Sequence, residues 1–384
     1  MSLYNEKVKA SIFLLSYFDT LGFYNKFWEF NMGNQYIPDE EFASQIWLNI
    51  IHNFFALGGF SNIDLTDWNC SDDTILTIST GIACLNGGTE KDYIDEFLKA
   101  LPILKDNTKD RMPGLATIDS LELIKRFKKL EKLDYDSSLG GNGAAMRTSI
   151  IGLIYYKESD LEKLIENSIL SSRITHNYSI GFLGGFVTAL FTSYAIRDIP
   201  VWEWVDKLLE LYESKILDNY MKKTNIYKKY VKDNEKFFDN WYQYKEQTLS
   251  KFKENHREFE IYSDRINYLL PYNDLGKNKN FFKFGVSGIS ALIVAYDSLL
   301  MSYRGNEFPL DLNKKDLKFS VDSLIFFSTL HFGDNDTTGA IAGAWYGAIF
   351  GFKHFDQNKL NQLEMKDELQ KITDRVISYN NLSK

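Results

Sequence analysis

The run TGAIAGAWYGAIFGF, from Thr338 to Phe352, decides the fold class. It carries no charge and is small or apolar on every side of a helix. A helix of that kind has no face to offer to water and must lie in the middle of a large core. Glycine costs roughly 1 kcal/mol against alanine inside a helix, so a run this rich in glycine implies a packing reason, the close approach of neighbouring backbones. Two more stretches share this character, Ser179 to Ile196 and Gly285 to Tyr296. Three such helices spread so widely predict one shared core and a single domain over residues 1–384.

The rest of the chain agrees. Val8, Ile12, Leu15 and Leu21 recur near the helical period, as do Leu161, Leu164, Ile165 and Ile169, and Val205, Leu208, Leu209 and Tyr212. Few segments alternate strictly, hairpin chemistry is almost absent, and 6 prolines leave long helices uninterrupted. The expectation is an all-α protein. Tyr220 to Arg265 differs, being dense in charged and aromatic residues. It reads as a charged helical excursion at about 220–265 on the surface, anchored by Phe237, Trp241 and Phe252.

Composition narrows the function classes. With 44 Lys+Arg against 52 Asp+Glu the net charge is −8, which argues against nucleic acid or an anionic membrane as partner. Ile174 to Ile196 lacks Asp, Glu, Lys and Arg, but its His176, Asn177, threonines and glycines suit a buried core helix better than a membrane span. The two cysteines, Cys70 and Cys84, are too few for a disulfide framework. Reduced thiols and an N-terminus without a signal-peptide core predict a cytoplasmic protein, read here as a monomer.

Two acidic motifs open predicted helices. Ser71-Asp72-Asp73-Thr74 precedes the apolar residues Ile75, Leu76 and Ile78, and Asp334-Asn335-Asp336-Thr337-Thr338 opens the glycine-rich helix. Taken singly, each reads as a helix cap. Side by side they would hold four carboxylates among hydroxyls, a set that burial forbids without cations. All-oxygen ligands favour Mg²⁺, Mn²⁺ or Ca²⁺ over zinc. An EF-hand is excluded, because its twelfth position would be Trp345 where a bidentate Glu is required. A glycine loop, Gly140-Gly141-Asn142-Gly143-Ala144, leads into a further helix and could cradle phosphate, or be a plain turn. His176 precedes a buried helix, and Glu29 stands between Trp28 and Phe30, where apolar surroundings would raise its pKa.

In this order, the motifs resemble the ADP-ribosylglycohydrolase family. They run from Asp19-Thr20-Leu21-Gly22 and Trp28-Glu29-Phe30 through Ser71-Asp72-Asp73-Thr74, Gly141-Asn142-Gly143-Ala144-Ala145-Met146-Arg147 and Arg173-Ile174-Thr175-His176 to Asp334-Asn335-Asp336-Thr337. The likeness extends to its ADP-ribosylarginine hydrolases. It implies a compact orthogonal helical fold with two Mg²⁺ ions (or Mn²⁺) in a central cleft. It implies metal ligation by Ser71 (or Thr74), Asp72, Asp73, Asp334, Asp336 and Thr337. The loop Gly141, Asn142, Gly143 and Ala144, with His176 and Ser287, would bind substrate, and Glu29 would serve substrate entry and water positioning.

The activity implied is hydrolysis of the N-glycosidic bond between ADP-ribose and protein arginine, reversing mono-ADP-ribosylation, with Asp72 or Asp73 as base. The pattern departs at Phe18 and Phe332, where the family carries glycine. It also departs at Ile289-Ser290, where arginine-specific relatives read His-Asp. That last change motivates an alternative acceptor, serine or O-acyl-ADP-ribose. A non-catalytic ADP-ribose-binding or toxin-neutralising protein is the alternative of another class.

Overall fold

The structure is a computed structural model that describes residues 2–30, 37, 39–250, 265, 267–273, 284–303 and 319–382. Its longer helices are α1 (Leu3–Phe23), α2 (Glu40–Ala56), α3 (Asp72–Asn86), α4 (Glu90–Leu104), α5 (Leu115–Phe127), α6 (Leu161–Arg173), α7 (Ser179–Ile196), α8 (Trp204–Glu213), α9 (Tyr227–Tyr244), α10 (Ser290–Ser302), α11 (Val321–Thr329), α12 (Asn335–Phe350) and α13 (Lys366–Leu382). Among the described residues no strand forms; an isolated antiparallel bridge joins Gly141 to Ser287. The all-α expectation stands.

The core is assembled around the three small-residue segments. Every residue of α7 is buried, so its length and apolarity serve the core of the protein. The α1–α12 pair makes the most extensive helix–helix interface. Its cause is a stripe at helical spacing on α12. A Cβ on Gly343 would lie 2.5 Å from the Leu14 carbonyl oxygen, and one on Gly347 would lie 2.4 Å from the Ala10 carbonyl carbon. At the far end of the same interface a Cβ on Gly22 would lie 2.6 Å from the Asn335 carbonyl oxygen. Only glycine lets the end of α1 touch the start of α12.

One expectation is corrected. Gly285 to Tyr296 is not helical throughout: α10 starts at Ser290. Gly285 takes a left-handed φ of 84°, and the residues after it form turns around the isolated bridge at Ser287, beside the glycine loop. There Asn142 N–H donates to the Val286 carbonyl at 2.9 Å and Gly288 N–H to the Gly140 carbonyl at 3.0 Å. The charged segment packs on the core through aromatic side chains, Phe237 and Trp241 among them. Tyr230, Phe237, Phe238, Trp241 and Tyr244 of α9 are buried, and Trp241 meets Phe191 of α7 with ring centres 5.5 Å apart. Lys228, Lys229 and Lys232 on the opposite face are exposed. Phe252 lies outside the described residues.

Candidate active site

Ser71 caps α3, its Oγ accepting the Asp73 N–H at 3.1 Å. Thr74 is also committed locally, its hydroxyl donating to Asp19. Asp19, at the end of α1, accepts Ser71 N–H at one carboxylate oxygen and Thr74 N–H at the other, each at 3.1 Å. The helix start is therefore satisfied by Ser71 and Asp19, which leaves the Asp72 and Asp73 side chains for other work.

Those carboxylates meet the ones from the start of α12. Ligand atoms of Asp19, Asp73 and Asp336 lie within 4.8 Å of one another, and so do those of Glu29, Asp334 and Asp336. The two groups share Asp336. Thr337 donates its hydroxyl to Asp73 at 3.3 Å and its N–H to Asp336 at 2.8 Å. Asn142 donates to Asp334 and to the Gly285 carbonyl, both at 2.8 Å, tying the glycine loop to the second acidic motif.

Asp19, Glu29, Asp72, Asp73, Asp334 and Asp336 are all buried. Burial first, and then their neighbours' charges, raise Glu29, Asp72, Asp73 and Asp336 well above ordinary carboxylate pKa values. Burial raises Asp19 and Asp334 as well. Asp73 Oδ2 and Glu29 Oε2 are buried without a hydrogen-bond partner. Buried oxygens of this kind are costly to leave unpaired. Orphan carboxylate oxygens in two converging groups fit hard divalent cations.

Five of these carboxylates, all but Asp19, form one wall of a cleft of about 480 Å³. Glu29, Asp72, Asp73, Asp334, Asp336, Thr337, Gly141, Asn142, Gly143 and His176 all line it. Ser71, Thr74, Ala144 and Ser287 do not. Ala144 is buried beneath the loop, and Ser287 bonds to Ser290 through their hydroxyls at 3.1 Å. The Asn142 amide, spent on Val286, cannot cradle a phosphate, whereas the amides of Gly141 and Gly143 meet no backbone carbonyl among the described residues. Met112, Pro113 and Leu115 supply an apolar part of the wall.

Sequence analysis left Asp19 without a role, although it lies in the same acidic group as Asp73 and Asp336. Its signal was present in Asp19-Thr20-Leu21-Gly22, where the glycine that admits α12 sits three residues on. What was missing was the close approach that brings α1 to α3 and α12 together.

A model of the ADP-ribosylglycohydrolase family matches residues 2–383. The chain belongs to the ADP-ribosylglycohydrolase family. It is 32% identical over 396 residues to ADP-ribosylhydrolase ARH1 of Dictyostelium discoideum, covering 97% of this chain and 93% of that one. It is 32% identical over 380 residues to an ADP-ribosyl glycohydrolase of Acanthamoeba polyphaga mimivirus, covering 94% of this chain and 68% of that one. A solved ADP-ribosylglycohydrolase-related protein complex shares the fold, with a TM-score of 0.56 at 17% identity over 98% of both chains. As an ADP-ribosylglycohydrolase the protein hydrolyses ADP-ribose linkages, and the family depends on metal.

Proposed function

We propose that this ADP-ribosylglycohydrolase releases ADP-ribose from protein arginine in a Mg²⁺-dependent reaction, acting as a cytoplasmic monomer on mono-ADP-ribosylated proteins. One observation carries the reading: five buried carboxylates line one cleft wall, and a sixth, Asp19, converges with two of them. Two divalent cations would neutralise four of the six carboxylate charges, and the remainder would favour a cationic guanidinium beside the scissile bond. Asp19, Asp73 and Asp336, and Glu29, Asp334 and Asp336, would hold the two Mg²⁺ (or Mn²⁺), which would supply Lewis acidity and lower the pKa of water.

Asp72 stands in the cleft outside both acidic groups, so it is the carboxylate free to take a proton from the attacking water. Its pKa, raised by burial, moves it toward the working range of a general base. The surrounding carboxylates stabilise an oxocarbenium-like transition state. Gly141 and Gly143 present free amides, and His176 a ring nitrogen, to the rest of ADP-ribose. Met112, Pro113 and Leu115 offer apolar surface at the cleft edge for the rest of the ligand. Free, buried Cys70 and Cys84 support a reducing compartment.

The test is release of ADP-ribose from ADP-ribosylarginine protein with Mg²⁺ or EDTA, for wild type, Asp336→Asn and Asp72→Asn. Asp336 belongs to both acidic groups, so its variant should lose Mg²⁺ binding and turnover together. Asp72→Asn should keep Mg²⁺ binding and lose on the order of 10²-fold or more in rate. Wild type inert on the arginine conjugate, though folded and loaded, defeats the arginine reading.

A second reading is favoured by one feature. Ile289 is fully buried in the core and Ser290 bonds back to Ser287, so neither gives a charge to the acceptor side of the cleft. Release from serine conjugates or O-acyl-ADP-ribose in the same assay would establish this reading instead.

A further inference from the structure

His176 is buried, yet its Nε2 faces the cleft between two glycines that have no side chains to block it. A Cβ on Gly143 would lie 2.6 Å from His176 Cε1, and one on Gly141 would lie 3.3 Å from Nε2. Nε2 has no hydrogen-bond partner among the described residues, while Nδ1 lies 2.8 Å from the Thr175 hydroxyl. Behind Thr175 stands Arg147. Its fully buried guanidinium donates to the Thr175 hydroxyl at 2.8 Å, to the Ser171 carbonyl at 3.1 Å and to the Gly143 carbonyl. Its planar group also lies 4.7 Å from the centre of the Phe97 ring. Packing on Phe97 and three acceptors thus fix where it sits.

The direction of the chain of hydrogen bonds follows from what each group can do. A guanidinium only donates, so the Thr175 oxygen accepts from Arg147. The Thr175 hydroxyl then has one proton left to give. Thr175 is fully buried, and the acceptor that the structure sets beside that proton is His176 Nδ1. With Nδ1 accepting, a neutral imidazole must carry its proton on Nε2. The opposite tautomer would leave the Thr175 proton buried without an acceptor, which folded proteins avoid. Burial and the Arg147 charge together hold the imidazole pKa down to about 3, consistent with a neutral ring.

We propose that Arg147 and Thr175 are positioning residues that fix His176 in the Nε2–H tautomer, aimed between Gly141 and Gly143 as a donor to an acceptor oxygen of bound ADP-ribose. The inference rests on the cleft being the ADP-ribose site. Because Arg147 also grips the Gly143 carbonyl, the same side chain sets the register of the loop against the ring. Loop and donor are presented as one rigid unit.

The tautomer can be read without any ligand. In protein labelled with ¹⁵N-histidine, two-bond proton–nitrogen correlations distinguish Nδ1–H, Nε2–H and imidazolium for each of the 5 histidines. His176 is assigned by its loss in His176→Gln. The expected result is Nε2–H, unchanged between about pH 5.5 and about pH 8. Thr175→Val should release the tautomer preference and weaken ADP-ribose binding about fivefold to tenfold by calorimetry, with kcat less affected. Thr175→Ser, which keeps the hydroxyl, should restore both. An Nδ1–H or titrating His176 in wild type overturns the proposal. So does a folded Thr175→Val that keeps both the tautomer and the affinity. If wild type binds no ADP-ribose, the functional reading and the donor role fall together, while the ¹⁵N pattern still decides whether the relay exists.

Discussion

Asp19 joins the fold to the chemistry at a single side chain. Its two oxygens hold the first turn of α3 through Ser71 and Thr74, and it converges with Asp73 and Asp336 in one acidic group. Asparagine has the same shape but must turn an amide donor toward one of those N–H groups. Asp19→Asn is therefore expected to cost about 1–3 kcal/mol of stability in Mg²⁺, from the mispaired buried donors. It should also raise the Mg²⁺ midpoint by roughly tenfold or more. Urea unfolding and a Mg²⁺-titrated thermal shift measure the two effects separately. A normal Mg²⁺ midpoint with lowered stability would leave Asp19 a cap and remove it from the ligand set.

At the scale of elements, the site depends on how closely α1 can lie on α12. Alanine at an interior helix position ordinarily gains about 1 kcal/mol over glycine. At Gly343 the new Cβ would stand 2.5 Å from a backbone carbonyl oxygen of α1, and main chain cannot step aside as a flexible side chain can. The clash outweighs the propensity gain. Gly343→Ala should lose about 1–3 kcal/mol in urea unfolding and bind Mg²⁺ more weakly, because the helices carrying Asp19 and Asp336 are forced apart. A variant as stable as wild type would show that the interface can slide. The glycine-rich composition of residues 338–352 made this helix legible in the sequence, because an all-round apolar helix has one physical explanation. It failed to separate residues 285–289 from the helix that follows. Small, uncharged residues suit tight turns against a glycine loop equally well, and neither the left-handed Gly285 nor the bridge to Gly141 has a signature in composition. The two acidic motifs were legible for the same reason as the core helices. The division of labour among Ser71, Asp72, Asp73 and Thr74 was not, since four adjacent polar residues at a helix start look alike until Asp19 arrives from another helix to do the capping.

Across the whole molecule, helices from both ends of the chain place carboxylates in one buried site, supported by a core that runs from Val8 to Val376. That continuity supports reading the chain as one domain, whose stability should follow the protonation of the site. In metal-free protein the cluster carboxyls have folded pKa values raised above their unfolded values of about 4. Above that pH the folded state holds protons that the unfolded chain has released. Stability must then fall as pH rises through the folded values. The Glu364 carboxylate, held down to about 2 by Arg111 and Lys109, acts in the opposite sense only below its own unfolded pKa, whereas His176 and His331, held down to about 3 first by burial, act in the opposite sense up to the unfolded imidazole value of about 6.5, so the carboxyl effect stands alone only above that pH. As the proposed cation, Mg²⁺ would bind the deprotonated carboxylates and displace the protons, so its stabilising effect should grow over the same range. Thermal unfolding in EDTA should give a Tm that declines from about pH 6.5 to about pH 8, while saturating Mg²⁺ flattens or reverses the decline. In Asp336→Asn, with one buried carboxylate fewer and both acidic groups broken, the EDTA decline should be shallower and the Mg²⁺ response absent. A wild-type EDTA profile that is flat across this range would mean that the carboxylates are already compensated without metal. The convergence of α1, α3 and α12 would then be a structural arrangement rather than a site that binding completes.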